Sequence, residues 1–123
     1  MKQAESYLNN DALPSLDFVA GLVAGEGCFT WIIQNGHEQA SFQIKMPAWN
    51  RQLLEQVRTT LNLTERIHEY IYQERHFVCL YIRKRSSIED KIIPVFTGRL
   101  FGKKAAQFYL WKEKYFEKIT FRK

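Results

Sequence analysis

At 123 residues, 46% of them hydrophobic and 15% aromatic, the chain is long enough for one compact core and too short for two ordinary domains, so a single domain over 1–123 is expected. Eighteen Lys and Arg against 13 Asp and Glu give a formal charge of +5 and a pI near 9.3, which favours a polyanionic partner without establishing one. Cys28 and Cys79 show no CxxC or Cys/His spacing, Met1 to Asn10 is not a basic-then-apolar leader, and no apolar run approaches membrane-spanning length; a zinc ribbon, a disulfide framework and a membrane protein are set aside for a soluble protein of a reducing, intracellular compartment.

A helix is expected from Pro14 to Gly25, with Pro14 or Ser15 in its first turn and Gly25 and Gly27 at its end. After Asp17 it is apolar all round, Phe18 through Ala24, so both of its sides must be covered. Gly21 and Gly25 lie four apart, as do Ala20 and Ala24, and this ridge of small residues admits a second helix backbone. A second copy of the chain is the natural partner, with Phe18, Ala20, Gly21, Ala24 and Gly25 as the contacts.

Glu26 to Gln34 and Ala40 to Met46 alternate in period two about Asn35-Gly36, a β-hairpin signal. Phe42, Ile44 and Met46 point to the core, as do Phe29 and Trp31. Cys28, Thr30, Ile32 and Gln34, with Ser41, Gln43 and Lys45, take the other face. A helix follows from about Asn50, as its cap, to Leu61, because Leu53, Leu54, Val57 and Leu61 recur at helical spacing.

Strands from Arg66 to Tyr72 and His76 to Arg83 come next, with Ile67, Ile71, Val78, Leu80 and Ile82 on the core side. Arg66, His68, Tyr70, Tyr72, Tyr81 and Arg83 share the opposite face. Ser86 and Glu89 have capping-box spacing and open a short helix that Pro94 should end or kink. The last helix, Lys103 to Lys118, should bury Ala105, Phe108, Tyr109, Tyr115 and Ile119 and leave its lysines solvated. The order predicts an α+β fold: an antiparallel sheet with helices on one face and an open polar face on the other. Such a face suits the major groove, with Gln matching adenine and Lys matching guanine.

If two copies of the first helix pair, two Glu26 carboxylates meet where it ends, each beside the negative end of a helix dipole. A divalent cation would relieve their repulsion, and Mg²⁺, which takes hard oxygen ligands, supports phosphodiester hydrolysis. No His or Cys spacing suggests a transition-metal site.

The run Val19-Ala20-Gly21-Leu22-Val23-Ala24-Gly25-Glu26-Gly27 resembles the motif that names the LAGLIDADG homing endonucleases. The likeness extends from about Leu16 to Glu117, through Phe42-Gln43-Ile44, Leu53-Leu54-Glu55, and Ile92-Ile93-Pro94-Val95-Phe96 to Leu100, Gly102, Lys103 and Phe108. It implies an αββαββα core, a homodimer joined through the single motif helix of each copy, and a sheet that sits as a saddle on double-stranded DNA. It further implies a near-palindromic site and Mg²⁺-dependent cleavage, inside a bacterial cytoplasm or an organelle. Glu26 falls on the family's metal-binding acid and Arg83 on a basic position near the scissile phosphate. Ala24 replaces the first acid of the motif, and Met46 stands where a polar residue often orders water. The alternative is a non-cleaving relative, either a splicing cofactor that binds intron RNA or a DNA-binding regulator.

Overall fold

The computed structural model describes residues 12–121 and forms one four-stranded antiparallel sheet with helices packed on one face. In chain order, α1 (Leu16–Glu26) leads into β1 (Gly27–Gln34) and β2 (His37–Pro47), and a 3-10 turn (Ala48–Asn50) opens α2 (Arg51–Thr60). Then come β3 (Ile67–Tyr72) and β4 (Arg75–Ile82), a segmented helix α3 (Arg85–Ser87, Ile88–Ile92 and Ile93–Phe96), and α4 (Gly102–Phe121). The sheet order is β1-β2-β4-β3, so the expected αββαββα arrangement is the one observed. No helix among the described residues is long and apolar enough to cross a membrane.

Local chemistry accounts for the boundaries. Ser15 caps α1 rather than sitting in its first turn, its hydroxyl accepting from the Phe18 N–H at 3.1 Å. Glu26 is the last residue of the helix and not the first of the strand. The turn into β1 depends on Gly27 through space rather than backbone angle: its φ is −88°, but a Cβ there would meet Val23 Cγ1 at 2.6 Å and the Val23 carbonyl oxygen at 3.0 Å. Replacing Gly27 with Ala is therefore expected to cost about 1–3 kcal/mol through overpacking. An unshifted denaturation midpoint would show that Val23 yields without penalty.

The β1–β2 hairpin turns at Asn35 (φ 53°) and Gly36 (φ 76°), the two left-handed residues that a two-residue loop demands. Its inner face carries Phe29, Phe42 and Ile44 into the core. Phe29 packs at 5.0–5.8 Å, centroid to centroid, from Phe42, Phe96, Phe108 and Trp111, so one ring joins the sheet to α3 and α4. Each fully buried Phe contributes about 1.5–3 kcal/mol of transfer free energy. From α2, Leu54 and Val57, with Leu61 just past its end, complete the cover, although Asn50 caps the helix without a side-chain hydrogen bond.

α4 also protects the outer edge of β1. The Trp111 indole N–H donates to the Thr30 carbonyl at 2.9 Å, the Phe29 N–H donates to Gln107 Oε1 at 3.3 Å, and the Lys104 ammonium donates to the Gly27 carbonyl at 2.6 Å. These bonds occupy groups that an edge strand would otherwise offer to another chain.

Expectations from parity and spacing are corrected at Ile71, Tyr109 and the Ser86–Glu89 pair. Ile71 has core parity but is 76% exposed, because the β3–β4 hairpin projects beyond the helix layer; beside it Glu69 binds Arg51 at 2.8 Å and His76 at 2.7 Å in the open. Tyr109 is 42% exposed, and its hydroxyl accepts from the Gly98 N–H instead of entering the core. Ser86 and Glu89 make no capping box: Lys84 is the cap residue, and Glu89 binds Arg85 four residues earlier and the Tyr115 hydroxyl, both at 2.6 Å. Of the two outcomes expected of Pro94, ending the helix is the one not observed, since the helix runs on to Phe96. The preceding turn, Ile88–Ile92, widens to π geometry, with the Ile93 N–H bonded to the Ile88 carbonyl, which makes room for the proline ring and lets Phe96 reach the core.

Candidate nucleic-acid interface and carboxylate site

The sheet face away from the helices is built in rows across the strands. Cys28, Gln43 and Tyr81 are in register, as are Lys45, Cys79 and His68, and then Pro47, Phe77 and Tyr70. Thr30, Ile32 and Gln34 continue β1, Tyr72 continues β3, and Arg66 and Arg83 flank the ends of β3 and β4. Gln34, Lys45, Arg66, Tyr70 and Tyr72 are exposed, and Cys28, Thr30, Ile32, Gln43, His68, Tyr81 and Arg83 are half-buried. Both acids within the described strands, Glu38 and Glu69, have the opposite parity, so this face carries no strand carboxylate.

Ser41 does not belong on the contact surface. It is fully buried, and its hydroxyl accepts from Arg83 Nε at 3.2 Å, so it orients the guanidinium rather than meeting a ligand. Cys79, on the same face, is also enclosed, and burial pushes its thiol pKa up.

An aromatic ladder occupies the β3–β4 half. His68 stacks near Tyr70 at 6.2 Å, Tyr70 on Phe77 at 5.2 Å, and His68 meets Tyr81 edge-on at 5.5 Å. Cations cover its flanks: Lys45 Nζ lies 4.1 Å from the Phe77 ring and the Arg83 guanidinium 4.7 Å from Tyr81. A hydrogen bond shared with Tyr70, together with burial, raises the Tyr81 pKa well above the ordinary phenol value, so that hydroxyl stays neutral. The face is thus positive, preorganised and able to meet both phosphate and base edges.

Glu26 is exposed at the C-terminal end of α1. A carboxylate there opposes the helix dipole, at a cost of about 0.3–1 kcal/mol, so stability does not account for its position. It borders a hollow of about 580 Å³ together with Cys28, Gln43, Lys45, Met46 and Arg75. Met46 is 3% exposed and points into the core, placing a thioether and no polar group at this wall.

The structure does not bring Arg83 to Glu26. Arg83 lies at the level of Ser41 and Thr30, well along the strands, and lines a different hollow. The basic groups near Glu26 are Lys45 and Arg75 around the hollow and Lys104, whose ammonium sits on the carbonyl of the very next residue. Lys104 escaped the sequence reading because α4 presents several lysines at helical spacing, and only the docking of α4 along β1 singles one out.

Among the described residues no group of three or more His, Cys, Asp and Glu side chains gathers to hold a metal. Among the described residues, Glu26 is the carboxylate that borders the hollow with Lys45 and Arg75, the right donor type for Mg²⁺ but an incomplete ligand set.

α1 buries one side against its own core through Val19, Ala20 and Val23. Ala20, 3% exposed, is therefore an internal contact and not part of the outer face. The other side, with Phe18, Gly21, Ala24 and Gly25, is open, and Phe18 is 51% exposed. A Cβ at Gly21 or Gly25 would meet nothing within 4 Å. Neither glycine is required by its own chain, and each costs helix stability of about 0.5–1 kcal/mol relative to alanine.

The sequence profile described as LAGLIDADG endonuclease matches residues 19–115. The I-LtrWI homing endonuclease, solved bound to target DNA, superposes with a TM-score of 0.72 at 27% identity over 87% of this chain and 38% of its own. The meganuclease I-CpaMI, bound to uncleaved DNA, gives a TM-score of 0.73 at 24% identity, covering 85% of this chain and 38% of that one. For the homing endonuclease I-TnaI the TM-score is 0.71 at 24% identity, with 83% of this chain and 71% of that one covered. The chain thus spans well under half of the first two enzymes. Comparison with curated protein sequences gives no match.

Proposed function

The chain belongs to the LAGLIDADG endonuclease family, and from that membership we propose that two copies pair through the open face of α1 to form an intracellular, site-specific DNA endonuclease. The carrying observation is Glu26, an exposed carboxylate set against its own helix dipole at the end of a helix face whose glycines have no role within the chain. Two-fold pairing of that face places the two Glu26 side chains together at the centre of the assembly. The match covers 38% of the I-LtrWI chain, leaving room in that fold for a second unit of the same kind.

Glu26 would supply the hard oxygen ligand for Mg²⁺, and the partner copy and the DNA phosphates would complete the set. Bound there, the cation supplies Lewis-acid stabilisation of the phosphodiester and a more acidic water. Lys104, held one residue beyond Glu26, adds positive charge beside the carboxylate. Gln43 and Lys45 present amide and ammonium groups to base edges, and Arg66 lies alongside at the end of β3.

Identical subunits present identical residues to each half-site, so the site is near-palindromic. A strand pair of eight or more residues spans roughly one major-groove turn per half-site, giving about 20 base pairs in all. Selection from a random duplex pool, followed by incubation of the winner with Mg²⁺, tests this reading: double-strand cleavage of a near-palindrome is expected, and a short asymmetric site would refute it. Specific binding without cleavage in Mg²⁺ or Mn²⁺ would favour a second reading, a non-cleaving splicing cofactor that binds intron RNA or a DNA-binding regulator. Met46 favours that reading, because it puts an apolar wall where water would be ordered beside Glu26.

A further inference from the structure

A second hollow, of about 550 Å³, opens at the end of the sheet farthest from α1. It exists because β2 is longer than its partner. Pairing with β4 stops at Phe42 and Ile82, so β2 runs on from His37 to Ser41 with one edge unpaired while the chain turns away through Arg83, Lys84 and Arg85. The Gln39 side chain bonds the Arg83 carbonyl across the gap at 3.4 Å and holds the two walls together.

The hollow is positively charged. On its floor Glu38 binds Lys114 at 2.8 Å and Lys118 at 3.2 Å, and hydrogen bonds from those lysines keep its carboxyl pKa below the usual value. One carboxylate therefore serves two ammonium groups. Arg85 is paired with Glu89. Among the described residues neither Arg83 nor Lys84 has a carboxylate partner: Arg83 is held by the Ser41 hydroxyl and the Tyr81 ring, and Lys84 is exposed. Trp31 lines the hollow, but Lys114 Nζ at 4.5 Å and Lys118 Nζ at 5.9 Å cover its ring, which leaves that aromatic surface closed to a stacked base.

We propose that this hollow anchors a backbone phosphate of the bound duplex at the outer end of each half-site, gripped by Arg83 and Lys84 beside the unpaired edge of β2. The proposal rests on the DNA-binding reading above and adds a site apart from the Glu26 centre. Its ligand follows from the chemistry. A phosphodiester brings one negative charge and two acceptor oxygens to the two cations that lack a carboxylate partner, whereas an added peptide strand would leave their charge uncompensated. Its position follows from the strand. The eight residues of β1 carry the chain roughly 26 Å outward from α1, and half an interhelix distance adds about 5 Å, which places the phosphate about eight to ten base pairs from the two-fold.

Phosphate-ethylation interference on the duplex selected by the wild-type protein tests this directly, because one ethyl group removes one phosphate charge. Wild type should show interference at a phosphate about eight to ten base pairs from the centre on each side. In Lys84→Ala that interference should weaken, Arg83 alone remaining on the phosphate, while the central pattern stays, and the slope of log affinity against log salt should fall by about two per dimer. Lys84→Arg should retain both features, and Lys112→Ala, on the helix layer, should leave the map unchanged. An identical interference map for wild type and Lys84→Ala would overturn the phosphate anchor and leave DNA binding intact. Failure of the wild-type protein to retain any duplex would overturn the DNA reading and the anchor with it.

Discussion

Glu26→Gln is expected to lower double-strand cleavage by about three powers of ten or more while duplex affinity stays near that of the wild type. Gln matches Glu in size and keeps hydrogen-bonding capacity but carries no charge, so the substitution isolates the electrostatic role. A metal ion stabilises a reacting phosphodiester by several kcal/mol, and each 1.36 kcal/mol is a factor of about ten in rate, which sets the magnitude. The fold should not suffer. Glu26 is exposed, belongs to no described ion pair or hydrogen bond, and its charge opposes the α1 dipole, so stability should rise by a few tenths of a kcal/mol, within the roughly 0.3–1 kcal/mol range of such effects. Affinity for a polyanion should be equal or slightly tighter. Linearisation of a plasmid carrying the selected site, with a gel-shift titration alongside, separates the two properties. Equal cutting by variant and wild type would show that the chemistry lies elsewhere.

The strands and the carboxylate were readable from sequence because each depends on local information. Period-two alternation about Asn35-Gly36 fixes the hairpin and its inner face, and the positive φ of both turn residues shows why those two residue types mark it. The Gly25-Glu26-Gly27 run likewise places a charged group where a helix must stop. Features that depend on how elements meet were not readable. Parity assigned Ile71 to the core side, but parity states a direction and not whether anything lies there. Ser41 shares the polar face yet vanishes beneath Arg83, a contact between residues 42 positions apart. Ala20 and Gly21 are neighbours in one small-residue ridge, and only the packed helix shows that Ala20 faces its own core while Gly21 faces out. Lys104 and the hollow at the end of β2 arise from the docking of α4 and from unequal strand lengths, neither of which has a local signature.

Introducing Lys at Gly21 is expected to leave a folded chain that no longer dimerises. Within the chain the substitution meets no obstacle, since a Cβ at Gly21 touches nothing within 4 Å, and Lys is a better helix former than Gly by about 0.5 kcal/mol or more. In a paired assembly the same position is the point of closest approach between two helix backbones, and the two-fold brings both new side chains into one interface. An unpaired buried charge costs about 3–5 kcal/mol, so even one such residue should weaken dimerisation by about two to three and a half powers of ten, and the pair by more. Sedimentation should show a wild-type dimer and a variant monomer at micromolar concentration, with circular dichroism confirming that both are folded. The monomer should lose the two-fold site preference and the double-strand cut together, because each needs both copies. A variant that stays dimeric and cuts normally would remove the open face of α1 as the interface. A folded wild-type monomer, with no assembly on addition of the selected duplex, would remove the dimer itself.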